Sequence, residues 1–280
     1  MRYFFNYIFY KHFTLLLCLI LWGGICYSQT PLPTPHPIEL KLSAPPYFRE
    51  GDRVHIKAIL HNKDKREITG QVALQVIDDS SHESADGWFR NFFPNQFFTI
   101  PGDTINITDF YLEIPYEYGR LVQFKLFVAY EQSIDSTIFH IPVIHNRINI
   151  SSKPIASSYI EVKEWLERKG EKKRLLEKNP VLKVGDKITK TIRLLNQAPF
   201  EKIIVEELLC SGTTLQTTSP TNLNTLQVLN RTLRKNKPLQ IETIAQFEGS
   251  FIHNQTILKN IQGKILQTYG FGEVLHIEEN

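Results

Sequence analysis

Between residues 47 and 147, apolar side chains recur at every second position. Val54, Ile56, Ala58 and Leu60 alternate with Arg53, His55, Lys57 and Ile59. Val72, Leu74 and Val76 repeat the pattern, as do Phe110, Leu112 and Ile114. Val122, Phe124, Leu126 and Val128 follow, and Phe139, Ile141 and Val143 close the set. A strand turns successive side chains to opposite faces, so this period predicts half-buried antiparallel strands. Turn sequences separate them at 62–65, 101–103, 115–119 and 131–133. About seven short strands in about 100 residues predict an immunoglobulin-like β-sandwich. The segment carries no cysteine, so it lacks the disulfide pin of a true immunoglobulin domain.

The pattern returns over 181–280, most clearly in Lys187–Leu195, Lys202–Leu209, Leu239–Phe247 and Phe271–Ile277. A second, less regular sandwich is expected there, making the chain all-β. Residues 148–180 differ, being dense in Lys and Glu, with Gly170 in the middle. They read as a charged connector, either a hairpin or a helix in which Glu164 and Arg168 would pair. A faint repeat links the halves. Gly51-Asp52 and Gly185-Asp186 begin matching stretches in which Val54 aligns with Ile188, Leu60 with Leu194 and Asn62 with Asn196. Glycine tolerates the positive φ of a turn, and aspartate bonds back to the backbone. Two related sandwiches would produce this repeat, and so would convergent turn chemistry.

The N-terminus has another character. Arg2, Lys11 and His12 precede an apolar run from Phe13 to Ile25, with Cys26 and Ser28 spaced as a cleavage site. Residues 1–28 read as a signal peptide cleaved near Ser28, which predicts an exported protein of the periplasm, cell surface or medium. An uncleaved anchor is the alternative and the one route to a membrane. Gly23 and the bulky Ile25 before Cys26 argue against lipidation at that cysteine. Removal takes two bases and no acid, bringing the formal charge from +3 to +1. So even a balance predicts no nucleic-acid partner. One cysteine remains, Cys210, so the exported chain must be held by its cores rather than by disulfides. Residues 29–46, with six prolines from Pro31 to Pro46, read as an extended lead-in or tether.

No catalytic, cofactor or metal motif emerges. Cys210 follows Leu208-Leu209 and reads as a small buried hydrophobe. His55 and His61 lie on one strand without the spacing of a zinc site, and His140 and His145 straddle a strand end. Asp78 to Asp86 gathers acids and hydroxyls, including Ser80, Ser81 and His82. It lacks the glycine of an EF-hand loop and the distant partners of a triad, and it reads as a solvated loop. The most aromatic stretch runs from Trp88 to Phe98. Its six rings cannot all face one core in a strand, so Trp88, Phe89, Phe92 and Phe93 are the candidate partner surface. Plugging the sandwich edge is the plainer role for the same rings. Four Asn-x-Ser/Thr sequences start at Asn106, Asn149, Asn230 and Asn254 and would matter in a eukaryotic source.

Four sequences in the first half belong together: Pro46-Tyr-Phe-Arg-Glu-Gly-Asp52, Val72-Ala-Leu-Gln-Val-Ile-Asp78, Leu112-Glu-Ile-Pro115 and Ile141-Pro-Val-Ile-His-Asn-Arg147. They resemble the alpha-2-macroglobulin domain of bacterial alpha-2-macroglobulins. Leu182-Lys-Val-Gly-Asp186 and Phe247-Glu-Gly-Ser-Phe251 are loosely similar to the sandwich beyond that family's thioester domain. The resemblance implies macroglobulin-like sandwiches and a binding or scaffolding role. The thioester cysteine and its motif are missing, so covalent protease trapping by this chain alone is not implied. The reading is a non-enzymatic exported protein, a shortened or split relative serving protease inhibition or envelope defence. Its partner would be a protein: a protease, a larger macroglobulin or an envelope protein. An adhesin-like or surface-assembly module is the alternative.

Overall fold

A computed structural model describes residues 37–146, 160–196, 198–199, 201–216, 228–270 and 273–279. The signal-peptide reading, Cys26 and the first part of the proline-rich stretch lie outside the described residues. Within them the chain is all-β, with 20 strands and no helix.

The first half pairs two sheets. In one, β1 (Ile38–Ser43) and β6 (Ile105–Glu113) flank β3 (Arg53–Asn62), both antiparallel to it. The other runs β2 (Phe48–Arg49), β8 (Ser133–Ile144), β7 (Leu121–Tyr130), β4 (Ile68–Asp78), β5 (Asn95–Ile100). The alternation behaves as the period-two rule requires. Val54, Ile56, Ala58 and Leu60 are buried, while Arg53, His55, Lys57 and Ile59 point outward. Leu74, Phe124 and Leu126 meet them from the opposite sheet in one core. Phe124 is held edge-on by Phe48 at 5.7 Å and by Phe89 at 6.3 Å, a geometry worth about 0.5–1.5 kcal/mol per pair beyond burial. The stretch read as a lead-in thus supplies β1, which covers one edge of β3.

The second half has the same strand plan. β12 (Lys187–Leu194) lies between β9 (Ile160–Glu167) and β16 (Leu239–Ala245), as β3 lies between β1 and β6. β13 (Lys202–Leu208) lies between β15 (Val228–Arg234) and β18 (Gln255–Lys259), as β4 lies between β5 and β7. The short β11 (Val181–Lys183) runs parallel to β20 (Val274–Glu278), as β2 runs parallel to β8. β14 (Thr213–Leu215) is an addition at the edge of β16. The Gly-Asp turns match bond for bond. Gly51 has φ 87° and Gly185 has φ 94°. Arg49 N donates to Asp52 Oδ2 at 2.8 Å, and Lys183 N to Asp186 Oδ2 at 2.9 Å. Gly51 N donates to Ile114 O and Gly185 N to Ala245 O; Ile114 N and Ala245 N return bonds to Asp52 O and Asp186 O. The repeat is therefore a structural duplication and extends well beyond the turn.

Residues 160–175 form the hairpin that was one of the two expectations, not the helix, and its first strand is part of a sandwich rather than a connector. β9 pairs with β12 from Glu167↔Lys187 to Ile160↔Leu194, so it is an interior strand of the second sandwich. β10 (Arg174–Leu175) returns against it beyond Gly170, whose φ is 83°. The helical Glu164–Arg168 pair does not form. Arg168 instead holds Asp186 through Nε at 3.0 Å and Nη2 at 2.7 Å, while Glu164 turns inward to Lys190.

The halves also share a sheet. β17 (Gly249–Ile252) docks on β3 beside β1, with Gly249↔Val54 and Ser250↔Arg53. The six-stranded sheet carries β1, β3 and β6 from the first half and β17, β20 and β11 from the second. The strands then bend into the second sandwich. β17 continues as β18 after His253-Asn254, and β19 (Ile265–Tyr269) continues as β20 after Gly270.

One apolar core runs through both halves, taking in Leu182, Phe251, Leu275 and Ile277 from the second, and a buried polar cluster lies beside it at the seam. Arg49 is fully buried and donates to Ile252 O, His253 O and Asn146 Oδ1. Asp52, also fully buried, accepts from Arg49 N, from Ile252 N at 2.9 Å and from the Ser211 hydroxyl. Tyr47 donates its hydroxyl to Leu209 O at 3.1 Å. Cys210, the buried thiol expected from the sequence, sits here with its pKa pushed up to about 12 by burial.

Candidate partner-binding surface

The loop between β4 and β5 carries the aromatic run, and its own polar residues fold it. Asp78 Oδ1 accepts from Ser80 N and Ser81 N, both at 3.0 Å, and from the Ser80 hydroxyl. Burial alone would raise the Asp78 carboxyl, but these donors outweigh it and hold it below the usual carboxylate range. Asp86 Oδ1 accepts from Val76 N and from Asn91 Nδ2, and Asn91 also donates to Leu74 O. The Ser80 hydroxyl is thus committed to Asp78, in the manner of a loop cap. Arg120 closes the base of the loop with Nε 2.6 Å from Asp78 Oδ2.

These bonds decide which rings face outward. Phe89 does not belong to the surface predicted for it. It is fully buried, packs edge-on against Tyr118 at 5.0 Å, and receives Glu113 N on its carbonyl at 2.9 Å. Arg90 follows with φ 52° and reverses the chain. Trp88, Phe92 and Phe93 are left 64%, 70% and 80% exposed. Phe97 joins them at 85%, because β5 is an edge strand and Phe97 lies on its outer side while Phe98 faces the core. Arg120 lies 4.6 Å from the Tyr118 ring centre and 5.9 Å from that of Trp88, which steadies the exposed indole.

Beside the loop, a groove of about 520 Å³ separates the sheet edges formed by β5 and β6. Arg90, Phe92, Phe93, Gln96, Asp109 and Tyr111 are among the residues that line it. Gln96 Nε2 donates to Asp109 O at 2.6 Å and ties the two edges together. Glu113 gathers Arg90 Nη1 at 3.0 Å and the Tyr111 hydroxyl at 2.9 Å. His55 Nδ1 lies 2.7 Å from Asp109 Oδ2, and this bond raises the imidazole pKa. The outer face of β6 adds exposed Ile105 and Ile107. An apolar strip with a satisfied polar margin suits protein contact. Phe97 and the β6 isoleucines lie outside the predicted surface, and the signal for them was the outward phase of the same period-two pattern.

A second polar cluster lies inside the second sandwich. Lys190 Nζ is 2.9 Å from Glu207 Oε1, 2.7 Å from Thr256 Oγ1 and 3.0 Å from Glu164 Oε1. Glu164 Oε2 meets His253 Nε2 at 2.9 Å. Burial lowers the Lys190 pKa, but Glu207 and Glu164 outweigh it and raise it above the usual range. Burial likewise raises Glu164, and Lys190 with His253 brings it below the usual range.

No protein-family model matches the sequence, and no curated protein does. Among solved structures, red sea bream transglutaminase is similar over 88% of this chain and 32% of its own, at 9% identity and TM-score 0.30. A fragment of Escherichia coli alpha-2-macroglobulin, from domain MG7 to the C-terminus, is similar over 63% of this chain and 23% of its own, at 12% identity and TM-score 0.30. The chain spans about a third or less of each.

Proposed function

We infer that the protein is a non-catalytic binding scaffold, exported from the cell, whose two macroglobulin-like sandwiches present the aromatic loop to a protein partner. The observation that carries this reading is the contrast within one loop. Phe89 anchors it in the core, while Trp88, Phe92 and Phe93 stand in solvent on a fixed base. Rigid aromatic side chains offer large contact area at low entropic cost, as at the centres of protein interfaces. The macroglobulin-like motifs of the first half support a protease or a larger macroglobulin as the partner, in protease inhibition or envelope defence.

The test is a pull-down from the native envelope, with purified proteases included, using wild type and a Trp88→Ser/Phe92→Ser/Phe93→Ser variant. The expected result is a protease or macroglobulin partner retained by wild type and reduced at least tenfold by the variant. Equal recovery by both would remove the loop from the interface. The duplication of the whole strand plan favours a second reading, an adhesin-like or surface-assembly module. Self-association of wild type that persists in the triple variant would support that reading.

A further inference from the structure

Lys190 lies at the centre of the polar cluster inside the second sandwich. It projects from β12 in one sheet and meets Glu207 from β13 in the other, where both side chains are cut off from water. Two carboxylates and one ammonium in such a place are costly, and a pair of this kind gains little over apolar packing. The contacts also divide the labour in a particular way. Thr256 Oγ1 accepts from Lys190 Nζ and donates to Glu207 Oε2 at 2.5 Å, so it polarises one carboxyl oxygen of Glu207. Glu164 touches the same amine at 3.0 Å, while His253 holds its other oxygen.

We propose that Lys190 and Glu207 condense to an intramolecular isopeptide bond, with Glu164 as the proton carrier and Thr256 as the donor to the carbonyl oxygen. The ion pair and its neutral form differ by one proton moved along the 2.9 Å contact from Nζ to Glu207 Oε1; the ion pair is the resting form, and the reaction proceeds from its minor neutral partner. The free amine attacks Cδ of Glu207. The Nζ–Cδ bond forms, and a second proton passes from Nζ to Glu164 and on to the leaving hydroxyl. The Cδ–O bond breaks and one water departs, with no oxidant or other reactant required. Glu164 ends as it began, facing His253, and the sandwich has exchanged two buried charges for an amide that ties its sheets together. Fixed proximity of the groups supplies what free amine and acid lack in solution.

The measurement is the intact mass of the denatured full chain, set against its sequence from the determined N-terminus. Wild type is expected to fall below that mass by one water, about 18 Da. Trypsin should then release Ile188–Arg193 still joined to the peptide that begins at Ile203. Lys190→Met should restore the full mass, and Glu164→Gln should leave a large share of the chain unlinked. Should Lys190→Met fail to fold, the peptide map of wild type decides alone. Wild type at its full sequence mass, or a water lost elsewhere in the map, overturns the proposal.

Discussion

Asp52 and Asp186 stand at the same point of two matching turns, and each gives one carboxyl oxygen to the backbone three residues before it. Their surroundings then diverge. Asp186 is met by the Arg168 guanidinium through two bonds. Asp52 turns into the seam, where burial pushes its pKa up to about 6 against the Ser211 hydroxyl, Ile252 N and Arg49, which lower it. In the unfolded chain it titrates at about 3.9. The folded state therefore holds the proton more tightly, and the resulting stability is full below about 4 and lost as pH rises through about 6. Urea midpoints compared between wild type and Asp52→Asn should show wild type gaining on the variant between pH 7 and pH 4.5, by on the order of 2 kcal/mol. A difference that stays constant with pH would refute this. The aromatic run shows what remains hidden at this scale. A loop obeys no two-residue period, so the sequence could not sort Phe89 from Phe92. Only the Asp86–Asn91 bonds and the positive φ of Arg90 do so.

Among the elements, the strands of the first half were the most legible. Each buries one face, and a buried face writes a period into the sequence. β9 was not legible, because its polar residues are used inside: Glu164 faces Lys190, and the Lys-Glu density that suggests a solvated connector belongs partly to a sheet interior. The bends in the second half were equally hidden. Gly270 has φ 75°, and a Cβ there would lie 1.9 Å from Asn254 O, a backbone atom of the link between β17 and β18. Gly263 has φ 84° but faces open space. Gly263→Ala should therefore cost about 1 kcal/mol, the ordinary penalty of a left-handed residue. Gly270→Ala should cost about 2–4 kcal/mol, since the backbone must also move. Thermal melts of the two variants separate the cases, and equal losses would show that the bend yields freely.

Across the whole molecule the two sandwiches are one compact unit, joined by a strand of one added to a sheet of the other. Arg49 is the centre of that joint, with its guanidinium spent on Ile252 O, His253 O and Asn146. Arg49→Ala leaves Ile252 O, His253 O and Asn146 Oδ1 without this donor and Asp52 without a nearby positive charge, a loss of about 3–5 kcal/mol. Wild type should unfold in a single calorimetric transition, and Arg49→Ala should split it in two. A single transition in both would mean that the shared sheet and the common apolar core couple the halves without Arg49. The strands, the sandwich class and the site of the repeated turn could all be read from local pattern. These follow from local alternation and from the backbone demands of glycine and aspartate, which act over a few residues. The three-dimensional fold settles the rest: that the halves share a sheet, that β9 is an interior strand of the second sandwich, which rings face solvent, and that Lys190 meets Glu207. Those are contacts between strands distant in the chain or on opposite sheets, and no local period records which partner a buried polar side chain will find.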